Sequence, residues 1–216
     1  MESYTLYVRC GDDTDGAVPV CVTRKRVRNL NLRVRRDGSV VLSVPWRTSS
    51  ERAQAFLDER TGWIGEVLAR QRMRAQRREA DAQAATGTYP LWGEPRETPD
   101  GAPVSPEELD ALYRRELARA LPEVVARMEP LIGARASSWQ LRAMTSRWGS
   151  CTPKTGRIRI NLRLAAYPPQ CLDYVVAHEL AHLLEPNHGP RFHAIVARAI
   201  PNERDVRLRL RQPATG

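Results

Sequence analysis

Two histidines and a glutamate form the pattern His-Glu-x-x-His at His178, Glu179 and His182. Residues four apart on an α-helix lie on the same face, so the two imidazoles can hold one metal ion while Glu179 stands beside it. A catalytic zinc ion usually takes three protein ligands and one water, whose pKa it lowers to about 7, and a nearby carboxylate can then accept the proton. The pattern predicts one Zn²⁺ cofactor with Glu179 as the catalytic general base.

The predicted helix around this pattern is apolar on every side, which is typical of a buried helix. A buried glutamate beside two histidines is costly unless it is paired or near a cation, and a metal ion removes that cost. The alternative is a solvated helix face without metal, since so short a pattern also occurs by chance. The apolar residues are Tyr174, Val175, Val176, Ala177, Leu180, Ala181, Leu183 and Leu184.

A third ligand is expected just after the helix. Pro186 should end the helix, and residues 187–190 are typical of a tight turn that could bring His188 over the first two ligands. We predict His188 as the third ligand and Glu203 as the main alternative. If Glu203 joined all three histidines, the shell would be closed and the zinc structural.

Other candidates are weaker. Asp173 and Glu185 are more typical of charges at helix ends. The spacing of the three histidines also matches the metzincin pattern, but Glu185 stands where metzincins need glycine and no methionine follows Met144 for their Met-turn.

Length and composition favour an ordinary soluble protein. The 216 residues are 42% hydrophobic, enough for a real core. No run of eighteen apolar residues and no signal-peptide plan is present, so we expect a cytoplasmic protein with no membrane partner. The four scattered cysteines, which we expect to be free thiols, are Cys10, Cys21, Cys151 and Cys171.

The net charge of +9 comes almost entirely from arginine, because Lys25 and Lys154 are the only lysines. A basic surface attracts nucleic acid, anionic membrane or acidic protein, so nucleic acid is a possible partner. The most basic helical stretch, from Arg70 to Arg78, is expected to be an exposed helix extension, with a nucleic-acid arm as the sharper alternative.

Residues 1–84 are predicted to be a β-rich segment followed by a helix. Strands at 4–10 and 18–23 flank a turn at 11–16, and strands at 30–34 and 40–44 form a hairpin around Asp37-Gly38, together giving an antiparallel sheet. The sequence Thr48-Ser-Ser-Glu51 then resembles a capping box that opens a helix.

Residues 85–105, rich in proline and glycine, are the predicted linker to a second domain at 106–212. Ser105-Pro-Glu-Glu108 begins a helix whose apolar stripe should pack against the metal-bearing helix. Strands at 139–144 and 157–162, joined by a loop at 145–155, should form a small sheet. The fold class is therefore α+β.

Four motifs together resemble the YgjP-like family of small zinc metallopeptidases, which are similar to SprT-like metalloproteases. The resemblance is close from about residue 139 to 204. The motifs are Thr145-Ser-Arg-Trp-Gly-Ser-Cys151, Ile158-x-Ile-Asn-Leu162, Asp173-Tyr-Val-Val-Ala-His-Glu-Leu-Ala-His182 and Pro186-Asn-His-Gly-Pro-Arg-Phe192.

The resemblance implies a minimal zincin-like domain in which a small sheet lies against the metal helix. It implies zinc on His178, His182 and His188, Glu179 as general base, and hydrolysis of peptide bonds in a peptide or protein substrate. The strand 157–162 suits binding of an extended peptide at a sheet edge. The expected substrate contacts are Arg147, Trp148, Arg159 and Asn161.

Cys151 is expected to be structural, because the histidines are better explained as metal ligands than as a thiol's base. The main functional alternative is a zinc-containing module associated with nucleic acid, possibly a protease acting on DNA-bound proteins. Candidates for stabilising an oxyanion are His193, Tyr174 and Arg147.

Overall fold

The computed structural model describes residues 3–10 and 17–214. The chain divides into an N-terminal unit, Met1–Arg72, and a C-terminal unit, Met73–Gly216. The predicted α+β class is confirmed. Among the described residues, no helix is both long and apolar enough to span a membrane.

The N-terminal unit contains a four-stranded sheet in the order β1-β2-β4-β3. β1 pairs with β2 and β3 with β4 in antiparallel fashion, and the second pair is the predicted hairpin. The prediction of a wholly antiparallel sheet is wrong, because β2 and β4 pair in parallel at its centre. Both central strands bury one face in the core of the unit, through Val20 and Val22 of β2 and Leu42 of β4. The strands are β1 (Ser3–Arg9), β2 (Ala17–Lys25), β3 (Asn31–Val34) and β4 (Val40–Pro45).

The predicted turn at 11–16 lies outside the described residues. The helix predicted to begin near residues 48–51 is in fact two helices, α1 (Ser50–Asp58) and α2 (Thr61–Ala84). Ser49, rather than Thr48, caps α1, and its hydroxyl accepts a hydrogen bond from the Arg52 backbone N–H at 3.3 Å. Leu57 and Ile64 are fully buried in the core of the unit.

Helix α2 continues through the basic stretch, but this extension is not simply exposed as we predicted. Met73, Ala80 and Ala84 are buried, so a sparse apolar stripe of one methionine and two alanines packs inward. Within the stretch, Arg77 pairs with Asp81 at 3.5 Å.

The segment 85–105, which we predicted to be a linker, contains a hairpin of β5 (Thr88–Leu91) and β6 (Glu94–Glu97). Its turn residues Trp92 and Gly93 both have positive φ, as in a type I′ turn. Three hydrogen bonds anchor this hairpin: Trp92 N–H to Ala165 O at 2.7 Å, Gly93 N–H to Ala166 O at 3.0 Å, and Tyr113 Oη to Pro90 O at 2.8 Å.

Helix α3 (Pro106–Ile132) begins with the predicted capping box, in which Ser105 and Glu108 each bond the other's backbone N–H. Its buried stripe packs against α4 (Pro169–Ala181), the helix that carries His178, as predicted. The stripe consists of Leu109, Tyr113, Leu117, Leu121, Val124, Met128 and Ile132.

The small sheet has three strands, β7 (Ser138–Arg142), β8 (Gly149–Thr152) and β9 (Arg157–Asn161), in the order β7-β9-β8. We predicted β7 and β9 but placed β8 in a loop, because Gly-Ser-Cys-Thr has no apolar alternation. The expectation that strand 157–162 forms a sheet edge is wrong: β9 is central, paired in parallel with β7 and antiparallel with β8. Helix α4 is followed by α5 (Pro190–Ala199) and α6 (Glu203–Arg209), and both pack on it.

Candidate metal centre

Three histidines meet at the end of α4. The Nε2 atom of His178 lies 3.2 Å from that of His182 and 3.3 Å from that of His188. Tetrahedral zinc with Zn–N bonds of 2.0–2.1 Å separates its nitrogen ligands by about 3.3 Å. The spacing of the three imidazoles therefore fits one zinc ion.

The other ring nitrogens have their own partners. His182 Nδ1 lies 3.3 Å from the Glu185 carbonyl oxygen, and His178 Nδ1 lies 3.5 Å from the Tyr174 hydroxyl. Because a carbonyl oxygen only accepts, the proton of His182 must sit on Nδ1, which leaves the Nε2 lone pair for a metal.

An aromatic ring packs against one side of the histidine cluster. The ring of Phe192, which is buried, lies 4.6 to 4.9 Å from the ring centres of His178, His182 and His188. Burial lowers the pKa of His178 well below 6.5, and the charges of the neighbouring histidines and of Arg207 lower it further. The neutral imidazole that results is the form that binds metal.

Local chain signals produce this arrangement. The i, i+4 spacing on α4 places His178 and His182 together. Helix α4 ends at Ala181 with His182 as its C-cap, a few residues before Pro186, where we predicted the end. A turn in which Gly189 N–H bonds Asn187 O at 2.8 Å then brings His188 back, and α5 follows with Phe192 in its first turn.

Glu179 is only 5% exposed and lies against β8. A Cβ atom at Gly149 would come within 2.5 Å of Glu179 Oε1 and 2.6 Å of its Cγ. Gly149 is therefore required by close approach within a strand, a role that sequence reasoning missed because it placed this residue in the loop at 145–155. The position of Gly149 within the family motif Thr145-Ser-Arg-Trp-Gly-Ser-Cys151 was the sequence signal that could have indicated this role.

Cys151 also lies near this carboxylate. Burial raises the pKa of Cys151 to about 11, and the negative charge of Glu179 contributes to the rise. A thiol with so high a pKa is protonated at neutral pH and is a poor nucleophile.

The alternative ligands are engaged elsewhere. Glu203 Oε1 lies 3.6 Å from His193 Nδ1. Asp173 pairs with Arg127 at 2.5 Å, and Glu185 lies 3.7 Å from an arginine of α5. Within residues 3–10 and 17–214, the group able to hold a metal consists of the three histidines alone.

Asn161 and Arg159, two of the expected substrate contacts, lie on β9. Asn161 is fully buried, and its Nδ2 donates to Met144 O at 3.0 Å and Arg147 O at 2.9 Å, so it fixes the preceding loop. Arg159 pairs in register with Ser150, whereas Gly149 faces Glu179. Because strand residues alternate between faces, Arg159 lies on the sheet face opposite Glu179.

The other two expected contacts precede β8. Arg147 is exposed, and Trp148 is partly buried with its ring edge-on to Tyr167, 4.9 Å between centroids.

Sequence reasoning did not identify Arg207 on α6, whose positive charge contributes to the lowered pKa of His178.

One family model and one solved structure are similar to this chain. The family model described as YgjP-like, metallopeptidase domain, matches residues 28–99 and 97–213. No curated protein matches the chain. Among solved structures, the crystal structure of the metallopeptidase zymogen of Pyrococcus abyssi abylysin is similar over 41% of this chain and 90% of that chain, with 18% identity and a TM-score of 0.39. Since the family model spans most of the sequence, the chain belongs to the YgjP-like metallopeptidase family.

Proposed function

We propose that this protein is a zinc endopeptidase that cleaves internal bonds of peptides or proteins. The observation that carries the proposal is the convergence of three imidazole Nε2 atoms, 3.2 and 3.3 Å apart, beside the buried carboxylate of Glu179. Three ligands leave one position of a tetrahedral ion open to solvent, as catalysis requires. The family match supports a peptide as substrate.

Zinc bound by His178, His182 and His188 would supply Lewis acidity, polarising the scissile carbonyl and acidifying a water molecule. Glu179 accepts the proton of that water and donates it to the leaving amine. The close contact between Glu179 and Gly149 restricts the carboxylate to one position. Phe192 shields from solvent the side of the imidazole rings against which it packs.

The extended substrate pairs with β8, which is an edge strand. Asn161 N–H donates to Trp148 O at 2.9 Å, and these two residues are the next register pair after Gly149 and Ile160. Along an antiparallel strand, alternate residues direct their backbone N–H and C=O groups toward the partner strand. Since Trp148 bonds β9, the N–H and C=O groups of Gly149 and Cys151 point away from β9, to the free edge of β8. A substrate strand bonded there runs beside Glu179.

Arg147 and Trp148 lie immediately before this edge and are the proposed side-chain contacts to substrate. The exposed guanidinium of Arg147 favours an acidic or carbonyl-rich part of the peptide. Arg159 and Asn161 are left out of the substrate site, because the first lies on the opposite sheet face and the second is buried.

The deciding experiment compares wild type, Glu179→Gln and Glu203→Gln after zinc loading. Glu203→Gln is the matched control because Glu203 contacts His193, outside the ligand set. We expect equal zinc content in all three proteins, with cleavage of a library of peptides blocked at both termini lost only in Glu179→Gln. Full activity of Glu179→Gln would refute the assigned base. An endopeptidase would be refuted if the wild type left the blocked peptides intact but cleaved the same peptides with a free terminus.

A further inference from the structure

One end of the N-terminal sheet concentrates positive charge around an exposed tryptophan. The parallel pairing of β2 with β4 sets Lys25 opposite Pro45, so Arg26 and Trp46 leave the sheet side by side. β3 enters from the same end, since Asn31 pairs with Ser43. We call this surface the basic end, and it consists of Lys25, Arg26, Arg28, Trp46 and Arg47.

The charge of the basic end is not neutralised locally. Its four cations are exposed, and within the described part of the chain none of them forms an ion pair. No acidic residue occurs in the sequence from Ala17 to Arg36. In the C-terminal unit, by contrast, arginines pair with carboxylates, for example Arg163 with Asp81 at 3.1 Å.

Trp46 is 53% exposed, which leaves a large aromatic ring in solvent beside these cations. The sheet face opposite the core is also open and polar, and it carries the exposed Tyr7, Asn31 and Arg33. Cations that follow a phosphate backbone, together with aromatic rings on which bases stack, are the features of sites for single-stranded nucleic acid.

We propose that the basic end binds single-stranded nucleic acid, with Lys25, Arg26, Arg28 and Arg47 contacting phosphates and Trp46 stacking on a base. An anionic membrane fits less well, because Trp46 is the only large exposed hydrophobic residue among the described residues of this end and stable interfacial binding needs an apolar face. The proposal differs from the arm expected at Arg70–Arg78, where α2 buries Met73 and pairs Arg77. It is independent of the metal centre.

The test measures binding of the full chain to labelled oligo(dT) and oligo(rU) by fluorescence anisotropy at increasing NaCl. Neutralising all four cations to glutamine should weaken binding at low salt and reduce the slope of log K against log salt by up to roughly 3. Trp46→Ala should weaken binding about tenfold.

Matched controls separate the basic end from general charge. Arg115, Arg119, Arg135 and Lys154 of the C-terminal unit, exposed like the basic end, are neutralised together, and Trp63→Ala removes another exposed tryptophan of the N-terminal unit. Both controls should bind as wild type, and circular dichroism verifies folding of each variant. The proposal is overturned if the control neutralisation weakens binding equally, if no binding occurs at low salt, or if phosphatidylserine vesicles bind and the oligonucleotides do not.

Discussion

Gly149 of β8 lies directly against Glu179 of α4, so that a Cβ atom at Gly149 would approach Glu179 Oε1 to 2.5 Å. Gly149→Ala must therefore turn the Glu179 side chain into another rotamer, while the three histidines keep their places. We expect zinc content to be unchanged and kcat for peptide hydrolysis to fall about a hundredfold, the cost of misplacing a catalytic group by about 1 Å.

Gly62→Ala is the control for this prediction. Gly62 also lies in regular structure, and a Cβ atom there would have nothing within 4 Å. That variant should retain wild-type kcat. Metal analysis and steady-state kinetics of both proteins check the prediction, which fails if Gly149→Ala is as active as Gly62→Ala.

The proposed zinc site predicts that removal of zinc destabilises the C-terminal unit, because the ion would bind the folded histidine cluster and not the unfolded chain. At free zinc a hundred times the Kd, binding adds about 2.7 kcal/mol to the free energy of unfolding. Thermal unfolding with zinc and with chelator measures the difference. His188→Ala should abolish it, whereas His193→Gln, which alters a residue outside the ligand group, should preserve it.

Tyr113→Phe tests how the β5–β6 hairpin is held. The Tyr113 hydroxyl donates to Pro90 O at 2.8 Å in a buried position, and its loss leaves that carbonyl without this donor. We expect the free energy of unfolding to fall by about 1–2 kcal/mol. Hydrogen exchange should rise in residues 88–97 and stay constant in α4, and equal protection of the hairpin in both proteins would contradict the anchoring role.

Local sequence signals made helix α4 and its histidine pair predictable. The i, i+4 spacing of His178 and His182 and the capping box at Ser105 depend only on neighbouring residues, which any helix brings together. The sequence favoured His188 as third ligand but left Glu203 as an alternative, because the position of Glu203 depends on how α6 packs. In the structure Glu203 contacts His193 instead.

Strand pairing was harder to predict because it depends on residues distant in sequence. β8 has no apolar alternation and is defined by its pairing with β9, so the order β7-β9-β8 and the edge position of β8 could not be deduced. The parallel pairing of β2 and β4 joins strands that β3 separates in the sequence. The hairpin in 85–105 was hidden by its prolines, although Trp92-Gly93 provides the turn.

Glu108 gives a pH-dependent contribution to stability. Hydrogen bonds from Ser105 lower the pKa of Glu108 below 4.5, so the folded state favours its charged form. The contribution is therefore present above about pH 4.5 and is lost as the pH falls through the folded-state pKa. Urea unfolding at neutral and acidic pH should show wild type more stable than Glu108→Gln at neutral pH, with the gap closing in acid.

Glu107→Gln is the matched control, since Glu107 lies in the same first turn but only Glu108 completes the capping box. Its stability difference from wild type should be smaller than that of Glu108→Gln at neutral pH. A gap for Glu108→Gln that is constant across the pH range would contradict this account.

If substrate binds along the free edge of β8, every second residue of the substrate should contribute a backbone hydrogen bond. If the outward N–H and C=O groups of Gly149 and Cys151 bond an extended peptide, every second substrate amide donates to β8 and those between point to solvent. N-methylation of a cleaved peptide, one residue at a time, should lower kcat/KM roughly two- to tenfold at alternate positions, the cost of one hydrogen bond. The intervening positions serve as internal controls. Uniform losses, or none, would show that substrate does not bind as an added strand.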